Sequence, residues 1–231
     1  MSAVHTKFIS EPEDESGVLG MDKAVYLVSG GIDSPAAAYL GIKRGWSPLF
    51  VYFDNYPFTG KDTEERALST VKKIKSVTGV EGEVLIVPHG RDLDLFVKGR
   101  RNLTCLLCKR MMYRKAERIA SDHGCKAIVT GEILGEQASQ TLRNLILNSA
   151  VINTPIIRPL IGMNKREVEG IARSIGTLEI SATKAQDCTA ASIKARTRAR
   201  AEELEQEECG IPLCDLVEES IKGLRRVVVQ P

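Results

Sequence analysis

Seven residues near the N-terminus carry the densest chemistry in the chain: Ser29-Gly30-Gly31-Ile32-Asp33-Ser34-Pro35. They follow an apolar run, Ala24-Val25-Tyr26-Leu27-Val28, and precede a helix-forming run, Ala36-Ala37-Ala38-Tyr39-Leu40. A buried strand, a glycine turn and a helix start at this spacing aim backbone N–H groups and the positive end of a helix at one point. A phosphate binds at such a point. Gly30 and Gly31 let the backbone approach phosphate oxygens and permit positive φ. Ser29 and Ser34 offer hydroxyl donors, and Ser34 is placed to cap the helix with Pro35 at its first position. Asp33 would repel a phosphate unless a cation intervened, so the pattern predicts Mg²⁺ bridging Asp33 and a pyrophosphate. The run is not a Walker loop, because no Gly-Lys-Ser/Thr closes it. A turn that merely joined strand to helix would need fewer of these residue types.

The second constellation is sulfur. Cys105 and Cys108 stand three apart at the start of a predicted helix, which puts both thiols on one face of its first turn. A helix N-terminus with Lys109 and Arg110 beside it favours thiolates, and thiolates bind soft metals. The best third member is Cys188, in the polar loop Lys184-Ala185-Gln186-Asp187-Cys188-Thr189. Three protein thiolates on a [4Fe-4S] cluster leave one iron open to hydrosulfide. Zinc on the same residues would be structural, and a redox disulfide is the remaining alternative. Cys125 reads as a small buried hydrophobe. Cys209 and Cys214 lie in a charged region, close enough to pair but more simply read as surface residues.

These residues must be positioned by the fold. The chain has 231 residues, 43% of them hydrophobic, and a net charge of +2, which suits one large α/β domain. No apolar run is long enough to span a membrane. Residues 1–20 are acid-rich with no apolar signal core, so a mobile tail, a cytoplasmic location and reduced cysteines are expected. Strands are predicted over Ala24–Val28, Pro48–Phe53, Glu83–Val87, Lys126–Thr130 and Pro155–Leu160. Helices are predicted over Asp62–Thr78, with Ala67, Leu68, Val71, Ile74 and Val77 on one face; over Thr104–His123, capped by Thr104 and stopped by Gly124; and over Glu136–Leu147 and Asn164–Ser174. This alternation predicts a doubly wound parallel sheet, Rossmann-like, with ligands outside the carboxyl ends of the strands. Four segments fall there: the Ser29 loop, Phe53-Asp54-Asn55, Thr130-Gly131-Glu132 and the loop after Leu160. The α/β domain spans 21–190, and a charged C-terminal helical extension without a further strand spans 191–231. Basic residues cluster at Lys98, Arg100 and Arg101; at Lys109, Arg110, Arg114 and Lys115; and at Lys194, Arg196, Arg198 and Arg200. Each cluster is either a nucleic-acid contact or a solvated helix face.

The loop Ser29 to Pro35, together with Cys108-Lys109-Arg110-Met111-Met112-Tyr113-Arg114, Val129-Thr130-Gly131-Glu132 and Ala138-Ser139-Gln140-Thr141-Leu142-Arg143-Asn144-Leu145, resembles the PP-loop ATPase domain of tRNA 4-thiouridine synthetases. The resemblance runs from Ala24 to Cys188 and implies the fold of adenine nucleotide alpha hydrolases. It implies ATP held by Leu27 and Val28, by Ser29, Gly30, Gly31 and Ser34, by Tyr52 and Phe53 flanking the adenine, and by Lys109, Gly131 and Gln140. It makes Asp33 the essential loop aspartate and Cys188 the catalytic cysteine. Cys105 and Cys108 are similar to the archaeal version that carries an iron–sulfur cluster. The implied reaction adenylates a uridine carbonyl in tRNA and then replaces its oxygen by sulfur. The family's THUMP region and the rhodanese domain of some members have no counterpart in this sequence. RNA binding is therefore expected from a separate THUMP-containing chain or a homodimer, and sulfur from sulfide or a persulfide carrier. Sulfur supply for thiamine thiazole synthesis, or a nucleotide-binding partner subunit with structural zinc, are the alternatives.

Overall fold

The computed structural model describes residues 22–230, so the tail expected over 1–20 lies outside the described residues. β1 (Lys23–Leu27), β2 (Ser47–Asp54), β3 (Val84–Pro88), β4 (Ala127–Val129), β5 (Ile156–Ile157) and β6 (Arg225–Val227) form one sheet in the order β5-β4-β1-β2-β3-β6. All pairs are parallel except β3 with β6. The crossovers carry α1 (Asp33–Lys43), α2 (Asp62–Thr78), α3 (Gly90–Phe96) with α4 (Thr104–His123), and α5 (Leu142–Ser149). α6 (Lys165–Ser174), α7 (Leu178–Ala182), α8 (Ala201–Glu208) and α9 (Leu213–Lys222) follow.

Both faces of the sheet are covered, which explains why its strands read as unbroken apolar runs. Tyr26, Phe50, Tyr52 and Ile86 pack against Val71 and Ile74 of α2. Val25, Val51, Phe53 and Val87 alternate with them and pack against Ala116 and Ile119 of α4. Cys125 is buried on this second face, as a small hydrophobe would be. Gly79 and Gly124 end α2 and α4 with φ of 71° and 67°, the left-handed turn that glycine makes without strain.

Several local expectations are corrected. Ser34 does not cap α1: the helix already begins at Asp33, the preceding residue makes no side-chain cap, and the Ser34 hydroxyl turns back to Ser29. Thr104 does not cap α4 either; it is the first helical residue, after a single 3₁₀ turn over Arg101–Leu103, and its buried hydroxyl has no partner. The helix expected from Glu136 starts at Leu142, because Gly135 at φ 80° and a 3₁₀ turn over Ala138–Gln140 intervene. Val77 points to solvent rather than to the core. β6 escaped the sequence reading because an edge strand buries little and carries charge: Arg225 pairs with Glu64 and Arg226 with Glu83.

α8 is held to α4 by one carboxylate. Glu208 accepts from Arg110 at 2.8 and 2.7 Å and from Arg114 at 2.8 and 3.0 Å, with Glu208 and Arg110 both buried. Removing one partner of a buried pair strands the other's charge, which costs roughly 3–5 kcal/mol. Glu208→Ala should therefore lower unfolding free energy by about that amount in urea titrations. A change below about 1 kcal/mol would mean that the cluster is solvated and idle.

Candidate nucleotide and thiol site

The Ser29 loop closes on itself. Ser29 N donates to Ser34 Oγ at 2.8 Å, the two hydroxyls lie 3.0 Å apart, and Gly31 N donates to Ser29 Oγ at 3.3 Å. Neither Gly30 nor Gly31 adopts positive φ, contrary to the conformational reason expected for them. A β-carbon on Gly30 would meet the Arg66 guanidinium, and that side chain would have to shift to admit it. Gly131 is required by close approach, since a β-carbon would come within 2.7 Å of Ser34 N and 2.8 Å of Asp33 C. The end of β4 therefore abuts the start of α1.

Two adjoining cavities open at the carboxyl ends of the strands. Leu27, Val28, Ser29, Gly30, Gly31, Tyr52, Phe53 and Cys188 line one of about 480 Å³. Asp33, Ser34, Lys109, Gly131 and Gln140, again with Leu27 and Ser29, line the other, of about 240 Å³. Three of the four strand-end segments meet here. The fourth, after Leu160, sends Lys165 to a cleft beside Asp33. Burial and the Glu136 carboxylate raise the Asp33 pKa, against Lys165 and Lys109, which lower it.

Sequence reasoning missed the residue that organises the smaller cavity. Glu132 is buried and accepts from Lys109 Nζ at 2.8 Å, from Tyr113 Oη at 2.6 Å and from Arg158 Nε at 2.7 Å. Burial alone would raise its pKa, but Lys109, Tyr113 and Arg158 overcome that and hold the carboxyl down to about 2. Glu132 lay in a noted segment, yet nothing in its neighbours marks it as the partner of two cations from distant elements.

The thiols are set differently from one another. Cys108 Sγ lies 3.2 Å from His89 Nε2. His89 Nδ1 faces Asp92 at 2.8 Å and Lys115 Nζ at 3.1 Å, and Lys115 also bonds Asp92 and, at 3.0 Å, the Pro88 carbonyl. All three of these side chains are buried. Burial, aided by the Lys115 ammonium, pushes His89 down to about 4 despite Asp92, so the ring is neutral near pH 7. Burial around the Cys108 sulfur pushes its thiol up, reinforced by Cys105 and Cys188 and opposed by Lys109 and Lys115. The expected activation of this thiol by the helix N-terminus and its flanking cations is thus outweighed, and Arg110 points away to Glu208. Cys188 is raised by burial, against backbone N–H bonds from Ala190 and Ala191 and with Cys105 adding to the rise.

Among the described residues, no three His, Cys, Asp or Glu side chains converge closely enough to hold a single metal ion. Cys105, Cys108 and Cys188 nevertheless lie within electrostatic reach of one another. Three cysteine sulfurs are the soft donors that either zinc or an iron–sulfur cluster takes. Cys209 and Cys214 are exposed free thiols. The basic cluster on α4 is not an open surface: Lys109, Arg110, Arg114 and Lys115 each bond a carboxylate. Lys98 and Arg100 are paired as well, whereas Lys194 and Arg198 are exposed.

The family description "thiamine biosynthesis protein (ThiI)" matches residues 20–213. The chain belongs to that family. It is 44% identical over 170 residues to a probable tRNA sulfurtransferase of Methanothermobacter thermautotrophicus, covering 73% of this chain and 44% of that one. It is 38% identical over 206 residues to a probable tRNA sulfurtransferase of Methanosarcina mazei, covering 88% and 51%. The chain spans about half the length of these relatives. A solved 4-thiouridine synthetase–RNA complex with bound ATP superposes with a TM-score of 0.85 at 35% identity, over 90% of this chain and 55% of that one. An NMN synthetase of Francisella tularensis, at 14% identity and a TM-score of 0.51, shares the fold. The α/β PP-loop architecture expected from the sequence is thus that of this ThiI-family chain.

The Glu132 knot has a pH signature. A carboxyl depressed from about 4.5 to about 2 on folding stabilises fully above pH 4.5 and loses that contribution as the pH falls toward 2. Glu132→Gln should cost on the order of 3 kcal/mol at pH 7. In urea titrations the gap to the parent chain should close between pH 4.5 and 2; a gap independent of pH would disprove the ionised knot.

Proposed function

We propose that this chain is the catalytic domain of an ATP-dependent tRNA sulfurtransferase that converts uridine to 4-thiouridine. One observation carries the reading: the residues matched to nucleotide binding and Cys188 line the same pair of adjoining cavities. Tyr52 and Phe53 sit where an adenine would lie, and the Ser29 loop where its phosphates would. The ATP named in the solved relative's complex supports ATP as the nucleotide.

Uridine O4 attacks the α-phosphorus, the bond to pyrophosphate breaks, and an O-adenylated base results. Backbone N–H groups of the loop, the α1 N-terminus and the Ser29 and Ser34 hydroxyls stabilise the charge that develops. Lys109, held by Glu132, adds a fixed cation. Asp33 is the hard oxygen donor that would hold Mg²⁺, which when bound neutralises pyrophosphate charge. Sulfur then attacks C4 and AMP leaves. Cys105, Cys108 and Cys188 would hold a [4Fe-4S] cluster, which when bound supplies an open iron site for hydrosulfide. Without it, a persulfide on Cys188 attacks C4 through its terminal sulfur. Cys105 or Cys108 then attacks Cys188 Sγ, forming a disulfide and freeing the thiocarbonyl. The exposed Lys194 and Arg198 lie close in sequence to Cys188 and suit a phosphate backbone. The target base must leave its stack to enter. RNA recognition by a THUMP-containing chain, or by a homodimer, completes the reading. The family description favours a second use of the same activated sulfur, in thiamine synthesis.

Asp33→Ala should abolish both AMP release and thiolation of bulk tRNA, whereas Cys188→Ala should stop thiolation and leave AMP release measurable. Unchanged turnover in Asp33→Ala refutes the loop chemistry. Anaerobically prepared protein should contain iron and absorb broadly near ~400 nm. Iron-free protein that still thiolates from sulfide would remove the cluster from the reading.

A further inference from the structure

Arg66 stands out once the site is assembled. It lies on the second turn of α2, and its guanidinium crosses over Gly30 so closely that a β-carbon there would make it shift. Its Nη1 donates to the Thr183 carbonyl at 2.8 Å and approaches the Ser181 carbonyl at 3.5 Å. Those carbonyls belong to the segment that leads to Cys188. Its Nε is buried and has no hydrogen-bond partner. Among the described residues no carboxylate lies within ion-pair distance of Arg66, although nearly every other cation around the site has one. Arg66 also lines the cavity that holds Gly30 and Cys188.

A guanidinium cannot shed its charge, and a buried N–H without an acceptor costs free energy. Arg66 thus brings an unneutralised guanidinium, incompletely bonded, to the wall of the cavity beside the Ser29 loop. We infer that Arg66 is a positioning residue with two ends. The guanidinium edge that faces the cavity takes a nucleotide phosphate oxygen beside Gly30, while Nη1 holds the Thr183 carbonyl, so nucleotide occupancy fixes the segment bearing Cys188. This rests on the reading of the Ser29 loop as a nucleotide site. Lysine cannot replace it, because a point charge lacks the planar fork that serves both partners at once.

The test uses the full chain and a non-hydrolysable ATP analogue, with affinity from calorimetry and the rate of Cys188 alkylation from peptide mass spectrometry. In the parent chain the analogue should slow alkylation of Cys188. Arg66→Ala should bind about tenfold or more weakly, as loss of a charge-assisted bond predicts, and at saturating analogue should lose the protection of Cys188. Arg66→Lys should recover part of the affinity but not the protection. The alkylation rate of exposed Cys209 is the internal reference for folding. If Arg66→Ala binds the analogue as well as the parent and keeps the protection, the inference fails and the nucleotide site stands. If the parent chain itself binds no analogue, the nucleotide reading fails first and takes the inference with it.

Discussion

A carboxylate almost sealed from water can remain ionised only if donors replace its hydration shell, and Glu132 meets that condition three times over. Its partners come from different parts of the chain. Lys109 and Tyr113 stand on α4, and Arg158 follows β5. One anion therefore fixes how the long helix, the end of β4 and the outer strand meet at the mouth of the smaller cavity. Gly131, next to it, lets β4 press against the first turn of α1. The loop and its facing cation are thus held in register by a buried charge network.

The sulfur side obeys the opposite rule. Cys108 is anchored: it stands on a helix packed into the sheet, against a neutral His89 whose far nitrogen faces Asp92 and Lys115. The ring packs on Phe53, with centroids 5.5 Å apart, so the aromatic that lines the larger cavity also braces the residue behind the thiol. Cys188 sits on irregular backbone tied down by a few bonds: Thr189 N to the Phe58 carbonyl at 2.9 Å, Gln186 N to Asp62 at 3.1 Å, and the Arg66 contact.

The legible part of this chain was the part whose physics is local. Strands buried on both faces announce themselves as apolar runs, and α2, with its 3.6-residue stripe and a following glycine, was bounded correctly at both ends. The turn from Ser29 to Ile32 was legible because paired glycines between an apolar run and a helix-forming run mark one. What failed was every feature fixed by a distant partner. Arg225 and Arg226 carry no strand signal, since β6 forms only because β3 has a free edge and Glu83 and Glu64 wait beside it. Lys109, Arg110, Arg114 and Lys115 looked like one basic face, yet tertiary structure sends them to three different carboxylates. Gly30 lacks the positive φ expected of it, and the side chain that crowds the place of its β-carbon is 36 positions away in the chain, at Arg66.

That last pairing explains why the loop tolerates two serines that bond each other. Ser29 and Ser34 spend hydrogen-bonding capacity inside the turn, at 2.8 and 3.0 Å. Here the hydroxyls set the shape, and cations from outside the loop lie beside it: Lys109 and Lys165 on the Asp33 side, Arg66 on the Gly30 side. Separating shape from charge lets the turn stay rigid while each cation answers to a second element, Lys109 to Glu132 and Arg66 to the Thr183 carbonyl.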